Sequence, residues 1–327
     1  MSKFSIHPYT SDYFEQWEAF ADRSNGGTIF HRLKFLQYHG EKFKQKENHL
    51  LILKGNSLFG VLPLAIFFDG KHSVAESPYG ASYGGPVFIS SLNYSDSREI
   101  IDKLLDYLST KHIYSCKFIF PIQPCYKQYS DTFKLALLEQ KFSCTNKEIS
   151  SVTYLDNNFA TDEIVTSRAR NMVRKAKKSG VTIKHNADIS EFWDTLEKTY
   201  DKHGVQPTHT LSQLSWLYDQ FPGHIYFDVA LLNNKPIAGI AYFVINDRVN
   251  SSFYLCQNPE FQSTQALSLL IYNALEQSKL NNFLWFDFGT SSNNMIGNEN
   301  LFRFKESFGA IGLFRETYLW INLYQDK

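Results

Sequence analysis

The chain of 327 residues has little of what would assign it to several large classes of protein. It has only four cysteines, and no two of them form a C-x-x-C pair. This argues against a disulfide scaffold and predicts buried or free thiols in a reducing compartment. No apolar run approaches the ~18 residues of a membrane span, and the first residues lack the apolar segment of a secretory signal. These absences predict a cytoplasmic protein and leave peripheral attachment to the inner face of the membrane open.

Neither sign of charge is in excess, since 33 Lys and Arg residues balance 33 Asp and Glu residues. A protein dedicated to nucleic acid is usually basic overall, so DNA is not an expected partner. No H-x-x-x-H pair and no cluster of cysteine and histidine is present, so no metal site is predicted. A local basic patch stays compatible with this balance, and with it contact with tRNA.

Aromatic residues are abundant, at 16% of the chain with 28 Phe and 19 Tyr. The length favours two domains of about 150 residues each. Both halves show one predicted order of elements: a strand, two helices, a strand meander, a helix and a strand. We therefore predict an α/β (α+β) fold with domains at 1–157 and 158–327, each a mixed, mostly antiparallel twisted sheet flanked by helices.

Individual elements are predicted from hydrophobic periodicity and turn residues. In the first half, Leu33 to Phe43 reads as a helix and Leu58 to Phe67 as one strand. In the second half, Arg168 to Ser179 and Leu211 to Gln220 read as helices. Ile311 to Leu323 is predicted to close the sheet as the last strand.

Several segments, in this order, resemble the FemAB group of acyltransferases, also described as FemAB-like or BioF2-like, which consist of tandem GNAT-type domains. The resemblance covers most of the chain. The segments that carry it are Gly27-Thr-Ile-Phe-His31, Val61-Leu-Pro-Leu64, Ser77-Pro78 with Tyr83-Gly-Gly85, Arg170-Asn-Met-Val-Arg-Lys-Ala176 with Gly180-Val181, Asp287-Phe-Gly289, and Phe304-Lys-Glu-Ser-Phe-Gly309.

The resemblance implies transfer of an acyl or aminoacyl group onto an amine of a cell-wall or saccharide precursor. Acyl-CoA is the expected co-substrate, with no bound cofactor, and aminoacyl-tRNA is the alternative donor. The partner is then a small-molecule or lipid-linked saccharide or peptide precursor. Two departures stand out. No coiled-coil insertion is visible, and the loop Gln257 to Ala266 lacks the glycine-rich cradle that typically holds the pyrophosphate of CoA.

The second domain is expected to hold the donor and the chemistry, and the first domain, with the cleft between the two, the acceptor. Asp287 leaves an apolar strand, where burial favours a base, although it could equally be a structural carboxylate that holds the loop after it. Lys305 stands between aromatic residues and could bind an acceptor anion or a developing oxyanion, or lie at the surface. Tyr254 is a proton-relay candidate on a central strand, with core packing as its alternative.

Donor phosphate is expected at the start of the helix that follows the loop Gln257 to Ala266. Ser263 and Thr264 are predicted to cap the helix, and Gln262 and Gln265 flank them. A plain helix cap without a ligand is the alternative.

The helix at Arg168 to Ser179 carries six basic residues in eleven and no acidic one. Arg170 and Arg174 fall on its polar face, and we expect them to contact acidic headgroups, a diphosphate or tRNA, unless this face is simply solvated.

The remaining substrate-binding candidates are aromatic or lie in loops. Tyr79 and Tyr83 belong to the glycine-rich loop Ser77 to Pro86, which reads either as a wall of the substrate cleft or as a tight crossing beneath a sheet. His209 follows Pro207 in a loop between two helices, where it could line the cleft or lie at the surface. Phe304 precedes Lys305 and completes the set. A catalytically inactive GNAT-like module that only binds a precursor is kept as a third reading.

Overall fold

The computed structural model describes residues 2–322, and the chain divides into two compact units. The first unit comprises Met1–Glu148 and Phe314–Lys327, and the second comprises Ile149–Leu313. The boundary thus lies at residue 148 rather than 157. The last strand belongs to the first unit from Phe314 on, although we predicted it as the end of the second domain. Its predicted end at Leu323 lies outside the described residues.

The first unit contains two sheets and four α-helices among the described residues. Its helices are α1 (Phe14–Arg23), α2 (Leu33–Leu36), α3 (Tyr94–Thr110) and α4 (Thr132–Glu139). Its strands are β1 (Phe4–Pro8), β2 (Leu50–Lys54), β3 (Ser57–Leu62), β4 (Ala65–Phe68), β5 (Ser73–Ser77), β6 (Val87–Phe88), β7 (Ile113–Ile119), the first half of β8 (Ser143–Tyr154) and most of β16 (Ile311–Ile321).

One sheet of the first unit has the order β1-β2-β3-β6, and the other runs β4-β5-β7-β16-β8. The predicted strand Leu58 to Phe67 is therefore wrong as a single element, because β3 and β4 lie in different sheets. Pro63 stands between them and has no N–H to continue a ladder. The predicted helix Leu33 to Phe43 is also shorter than expected. It ends at Leu36 and continues as 3₁₀ turns through a kink at Gly40.

The second unit repeats the order of elements of the first. Its helices are α5 (Thr161–Ile164), α6 (Ser167–Lys178), α7 (Ile189–His203), α8 (Leu211–Gln220), α9 (Ala266–Leu280) and α10 (Glu299–Glu306). Its strands, besides the second half of β8, are β9 (Thr182–Lys184), β10 (Ile225–Leu232), β11 (Lys235–Asn246), β12 (Val249–Gln257), β13 (Trp285–Thr290), β14 (Ser292–Asn293) and β15 (Ile296–Gly297). The predicted tandem arrangement of mixed α/β units is confirmed.

The sheet of the second unit has the strand order β8-β13-β12-β11-β10-β9. All its pairings are antiparallel except that of β12 with β13, which is parallel. Helices cover both faces. On one side α9 packs with α6 and on the other α7 packs on β11 and β12. Ile240 and Tyr242 of β11 face the α9 side, and Phe192 of α7 packs on the opposite side.

Local signals explain where these elements begin. Thr210 starts α8 with a capping box, in which its N–H donates to the Gln213 side chain and its hydroxyl accepts from the Gln213 N–H. On α6 the buried residues Ala169, Val173 and Ala176 recur at helical spacing, so the basic residues take the other face, as predicted. The sequence did not predict β6, α5, α10 or the short β14–β15 hairpin before α10.

Candidate active site

Asp287 lies in β13, where neighbouring strands fix its main chain on both sides. Asp287 is 3% exposed and is in register with Val152 of β8 and Ser251 of β12. Its carboxylate oxygen Oδ1 accepts the Ser150 hydroxyl at 2.7 Å and the Gly289 N–H at 2.8 Å. These contacts correspond to the structural alternative for Asp287, in which it holds the loop that follows the strand.

Lys305 is a buried cation on α10, with 2% of its surface exposed. Its ammonium Nζ donates to the carbonyl oxygens of Gly289 at 2.9 Å and Thr290 at 2.8 Å. Burial lowers the pKa of Lys305 to about 8, and the nearby Asp287 charge partly opposes this shift. A surface lysine is therefore the wrong alternative. Two predicted catalytic side chains thus meet at residues 287–290, where the pairing of β13 with β8 is irregular; we call this segment the Asp287 turn.

The strands β12 and β13 pair over only three residues, from Val249↔Trp285 to Ser251↔Asp287, although both continue beyond that point. At the same place β12 carries a bulge. Tyr242 of β11 pairs with Ser252 and Ala241 with Tyr254, which leaves Phe253 as an extra residue. The Ser251 hydroxyl donates to the Asp287 carbonyl at 3.0 Å. The parallel pairing thus ends beside the Asp287 turn.

Tyr254 and His209 form a hydrogen-bonded pair just beyond this bulge. Both are 3% exposed, and the Tyr254 hydroxyl lies 2.8 Å from His209 Nδ1 and accepts the His209 N–H at 3.1 Å. Burial raises the pKa of the Tyr254 phenol, so it keeps its proton and can donate it to Nδ1. When the hydroxyl donates to Nδ1, the ring proton of a neutral His209 is on Nε2. His209 is therefore not loop surface, and no sequence pattern indicates its contact with Tyr254.

The predicted donor loop contains a 3₁₀ turn, Pro259–Thr264, followed directly by α9. Ser263 and Thr264 do not cap α9, because Gln265 holds the N-cap position and the Thr264 hydroxyl donates to the Phe261 carbonyl at 2.6 Å. The N-cap of α9 is Gln265, which has a positive φ of 62° and makes no side-chain cap. Its side chain donates to the Gln262 carbonyl at 3.2 Å.

The basic helix α6 lies beside the start of α9. The Ser268 hydroxyl, in the first turn of α9, contacts the Met172 sulfur at 3.7 Å. The exposed residues Arg168 and Lys175 flank Met172 on α6 at i−4 and i+3, so they share its side of the helix. These two cations were not singled out from the sequence, because their relevance depends on how two distant helices pack.

The two predicted arginines of α6 have local partners. Arg170 Nη1 donates to the carbonyls of Asp162 and Val165 at 2.6 Å each, and thus holds the chain around α5. Arg174 is exposed and donates to Asn171 at 2.9 Å. Arg170 is therefore a structural side chain, while Arg174 lies on the exposed face, where its predicted contact with a ligand stays a prediction.

The aromatic candidates lie in hydrophobic cores rather than on an open wall. Tyr79 and Tyr83 lie in the first unit and are 2% and 4% exposed. The N–H of Gly84, which follows Tyr83, donates to the Ile119 carbonyl at the end of β7. The glycine-rich loop is thus the tight crossing and not the cleft wall. Phe304 is half-buried against the core of the second unit, with its ring 5.4 Å from that of Phe308.

The Tyr79 hydroxyl belongs to a polar cluster, 3.1 Å from Glu47 and 3.3 Å from His49 Nε2. Burial lowers the pKa of His49 to about 3 and raises that of Tyr79. Among the residues the structure describes, no group of three or more His, Cys, Asp or Glu side chains could hold a metal ion. Within residues 2–322 no helix is both long and apolar enough to cross a membrane.

Comparison with known proteins bears on the second unit most directly. Residues 165–306 match the family model described as an acetyltransferase (GNAT) domain. Among proteins of curated function, none matches the chain. The matched range begins at the start of the basic helix and ends with α10, so it includes the Asp287 turn, Lys305 and the Tyr254–His209 pair.

Solved structures extend the similarity to the whole chain. FemX superposes with a TM-score of 0.72 at 14% identity, covering 98% of this chain and 99% of FemX. L-PGS from Bacillus licheniformis gives 0.57 at 10% identity, covering 97% of this chain and 93% of that one. A tandem GNAT protein from the clavulanic acid biosynthesis pathway gives 0.56 at 9% identity, covering 97% and 98%. At these identities the superpositions establish the fold. The chain thus shares the fold of FemX and of the tandem GNAT protein, and residues 165–306 match the acetyltransferase (GNAT) domain model.

Proposed function

We propose that the chain is an N-acyltransferase, which takes its acyl group from an acyl-CoA and transfers it to an amine of a cell-envelope saccharide or similar precursor. The observation that carries this proposal is the end of the β12–β13 pairing at Ser251 and Asp287, beside the bulge at Phe253. A strand bulge frees main-chain groups from the ladder. Such groups can bind the amide and carbonyl groups of an extended thioester arm.

The start of α9 and two cations of α6 support binding of the donor phosphates in the second unit. The first turn of α9 follows β12 by way of the 3₁₀ turn, and N–H groups at a helix start attract anions. Arg168 and Lys175 lie beside Met172, which touches that turn. These cations, rather than a glycine-rich loop, would neutralise the diphosphate of the donor.

The transfer itself requires no redox step. The amine nitrogen attacks the thioester carbonyl carbon, the new C–N bond forms, the amine loses a proton and the C–S bond breaks. The departing thiolate then takes up a proton. Tyr254 of β12 would supply that proton and then take up the one that the amine releases, while His209, whose Nδ1 is hydrogen-bonded to the phenol, holds it in position.

Asp287 and Lys305 would act on this site through the turn at Gly289. Lys305 is positively charged below a pH of about 8 and is buried, so its field is weakly screened. That charge favours a developing oxyanion near the turn, which is the role that the sequence suggested. Asp287 fixes the turn against β8 and is a weaker candidate for the base.

The donor is tested by thermal shift with acetyl-CoA, longer acyl-CoAs and free CoA, followed by assays of thiol release with glucosamine and UDP-amino sugars. Saturable stabilisation by an acyl-CoA and amine-dependent release of free thiol are expected. Stabilisation by a sugar nucleotide alone, without turnover when both substrates are present, would instead identify an inactive precursor-binding module.

Transfer from aminoacyl-tRNA onto a peptidoglycan precursor is the second candidate, and the exposed cations of α6 favour it. Arg174, Lys175 and Lys178 are exposed on that helix. Contact with tRNA phosphates makes affinity fall steeply with salt. Binding of tRNA that weakens steeply between 50 and 200 mM salt, together with no response to acyl-CoA, would favour this candidate over the first.

A further inference from the structure

A cavity of about 730 Å³ opens in the second unit at the C-terminal end of α9. Gln277 and Asn281 line it from the end of that helix, and Ile225 and Asp228 line it from the start of β10. The proposed donor phosphates lie at the other end of α9. At 1.5 Å per residue, about 16 Å separate Ala266 from Gln277 along the helix axis. The cavity is therefore distinct from the donor site and shares no residue with it.

A buried carboxylate stands in the wall of the cavity. Asp228 is 4% exposed, and it accepts the Asn186 N–H at 3.1 Å and the Tyr242 hydroxyl at 3.2 Å. His185 Nδ1 lies 3.1 Å from the same carboxylate, and the His185 side chain is 46% exposed. The Asp228 carboxylate is thus held in place by surrounding groups before any ligand binds.

Apart from His185, which is positively charged only when protonated, the other charges around the cavity have the same sign as Asp228. Asp219 adds a second, exposed carboxylate from the last turn of α8. The C-terminal end of a helix carries partial negative charge, and here it contributes Gln277 and Asn281. Among the described residues that line the cavity there is no lysine or arginine. The site therefore favours a cation.

Aromatic rings form the rest of the wall. Tyr226 stacks on Tyr242 with ring centroids 4.5 Å apart, and Tyr218 and Phe283 also line the cavity. Burial raises the pKa of Tyr226 to about 12, so its phenol is neutral at physiological pH. Ring faces attract organic ammonium groups and pack against the C–H faces of a ligand, whereas a hydrated metal ion gains little from them.

We propose that this cavity is a second ligand site of the chain, which binds an organic amine cation of the size of an amino sugar or a polyamine. The ammonium group pairs with the Asp228 and Asp219 carboxylates, and the amide side chains of Asn186, Gln277 and Asn281 bind its hydroxyl or further amino groups. This site is separate from the proposed transfer reaction and does not depend on it.

Calorimetric titration of the full chain with glucosamine, with spermidine and with the neutral N-acetylglucosamine tests the proposal. We expect saturable binding of at least one amine and at least about tenfold weaker binding of the neutral sugar, as for loss of one hydrogen bond to a charged group. Titrations with an acyl-CoA present and absent should give the same affinity for the amine.

Three variants locate the binding. Asp228→Asn removes the buried charge and keeps the size of the side chain, Asp219→Asn removes the exposed charge, and Asn281→Lys adds a cation at the helix end. Each should weaken amine binding, Asp228→Asn by at least about tenfold. Asp194→Asn, an exposed carboxylate on α7, is the matched control and should change nothing.

Asp228 also holds Asn186 and Tyr242, so its variant can lose stability. The two surface variants then decide the question, because neither replaces a buried group. Equal affinity for glucosamine and its neutral analogue, no binding of either amine, or unchanged binding in both Asp219→Asn and Asn281→Lys would overturn the proposal.

Discussion

Asp287 and Lys305 bind the main chain of the same residue, Gly289. Asp287 Oδ1 accepts its N–H at 2.8 Å, and Lys305 Nζ donates to its carbonyl at 2.9 Å. One side chain comes from β13 and the other from α10, so the turn between strand and helix is fixed from both ends. The two charges are therefore coupled through a backbone segment as well as through space.

Replacement of either charge should reduce turnover by at least about 10-fold while the fold persists. Asp287→Asn keeps an oxygen for the Gly289 N–H, so it tests the charge alone. Lys305→Met also removes the donor to two part-buried main-chain carbonyls, which should cost about 1–3 kcal/mol of unfolding free energy. Steady-state rates and urea denaturation measure the two effects. A near-normal rate in either variant would remove that residue from the chemistry, and Glu299→Gln, at an exposed site on α10, is the control.

Stability should rise with pH above about 8 because of Lys305. The unfolded chain keeps this proton up to the ordinary pKa of 10.5, whereas the folded chain releases it near 8. Between these values the unfolded state binds more protons, so the unfolding free energy increases with pH. The gain is about 2 kcal/mol between pH 8 and 9.5 at full effect. Denaturation of wild type and Lys305→Met across this range should show the rise only in wild type, and parallel curves would contradict it.

Two glycines of the second unit should respond differently to alanine. Gly289 has a φ of 71°, but an added Cβ would meet nothing within 4 Å. Gly309 has a φ of 80°, and its Cβ would lie 2.6 Å from Ile164 Cγ2 and 2.9 Å from the Ile164 carbonyl. Gly289→Ala should cost about 1–2 kcal/mol from backbone strain alone. Gly309→Ala should cost clearly more, and equal denaturation midpoints would show that the Ile164 contact relaxes freely.

Much of the fold was predictable because its signals are local. The bounds of α8 match the prediction residue for residue, and Thr210 and Gln213 encode its start in a capping box. The split of β3 from β4 was not predicted, although Pro63 marks it, because the two strands still read as one apolar segment. No local sequence signal indicates that the last strand joins the first unit.

The site was harder to predict, because its contacts join residues that lie far apart in the sequence. The segments that contain Asp287 and Lys305 stood out because charges among aromatics are rare, and both residues proved buried. The Ser150 hydroxyl that binds Asp287 is 137 residues away in sequence, and no pattern connects them. We expected Arg170 to bind a ligand, because a helical wheel shows on which face of the helix a side chain lies but not which groups it contacts. Its partners are two main-chain carbonyls.

The Tyr254–His209 pair should act as a unit in catalysis. Tyr254→Phe removes the hydroxyl and His209→Gln removes the imidazole, and each should lower the rate of acyl transfer by about 10²-fold, as for loss of a general acid. Because the groups work in series, the double variant should be no slower than the worse single one. Rates that multiply instead would show independent roles. Tyr200→Phe, on a ring that packs beside Tyr254, is the control for packing.

The basic residues of α6 should separate into structural and donor-binding groups. Arg170→Gln loses two hydrogen bonds to main-chain carbonyls, so it should lower stability by about 1–3 kcal/mol and leave the donor KM unchanged. Lys175→Gln and Arg168→Gln replace exposed side chains next to Met172, so they should raise the donor KM several-fold without loss of stability. The effect should shrink at high salt, because exposed charges are screened. Lys178→Gln, further along the helix, is the matched control. If all four variants raise KM equally, the whole helix acts as a diffuse cationic surface, and the assignment of donor phosphates to the start of α9 is wrong.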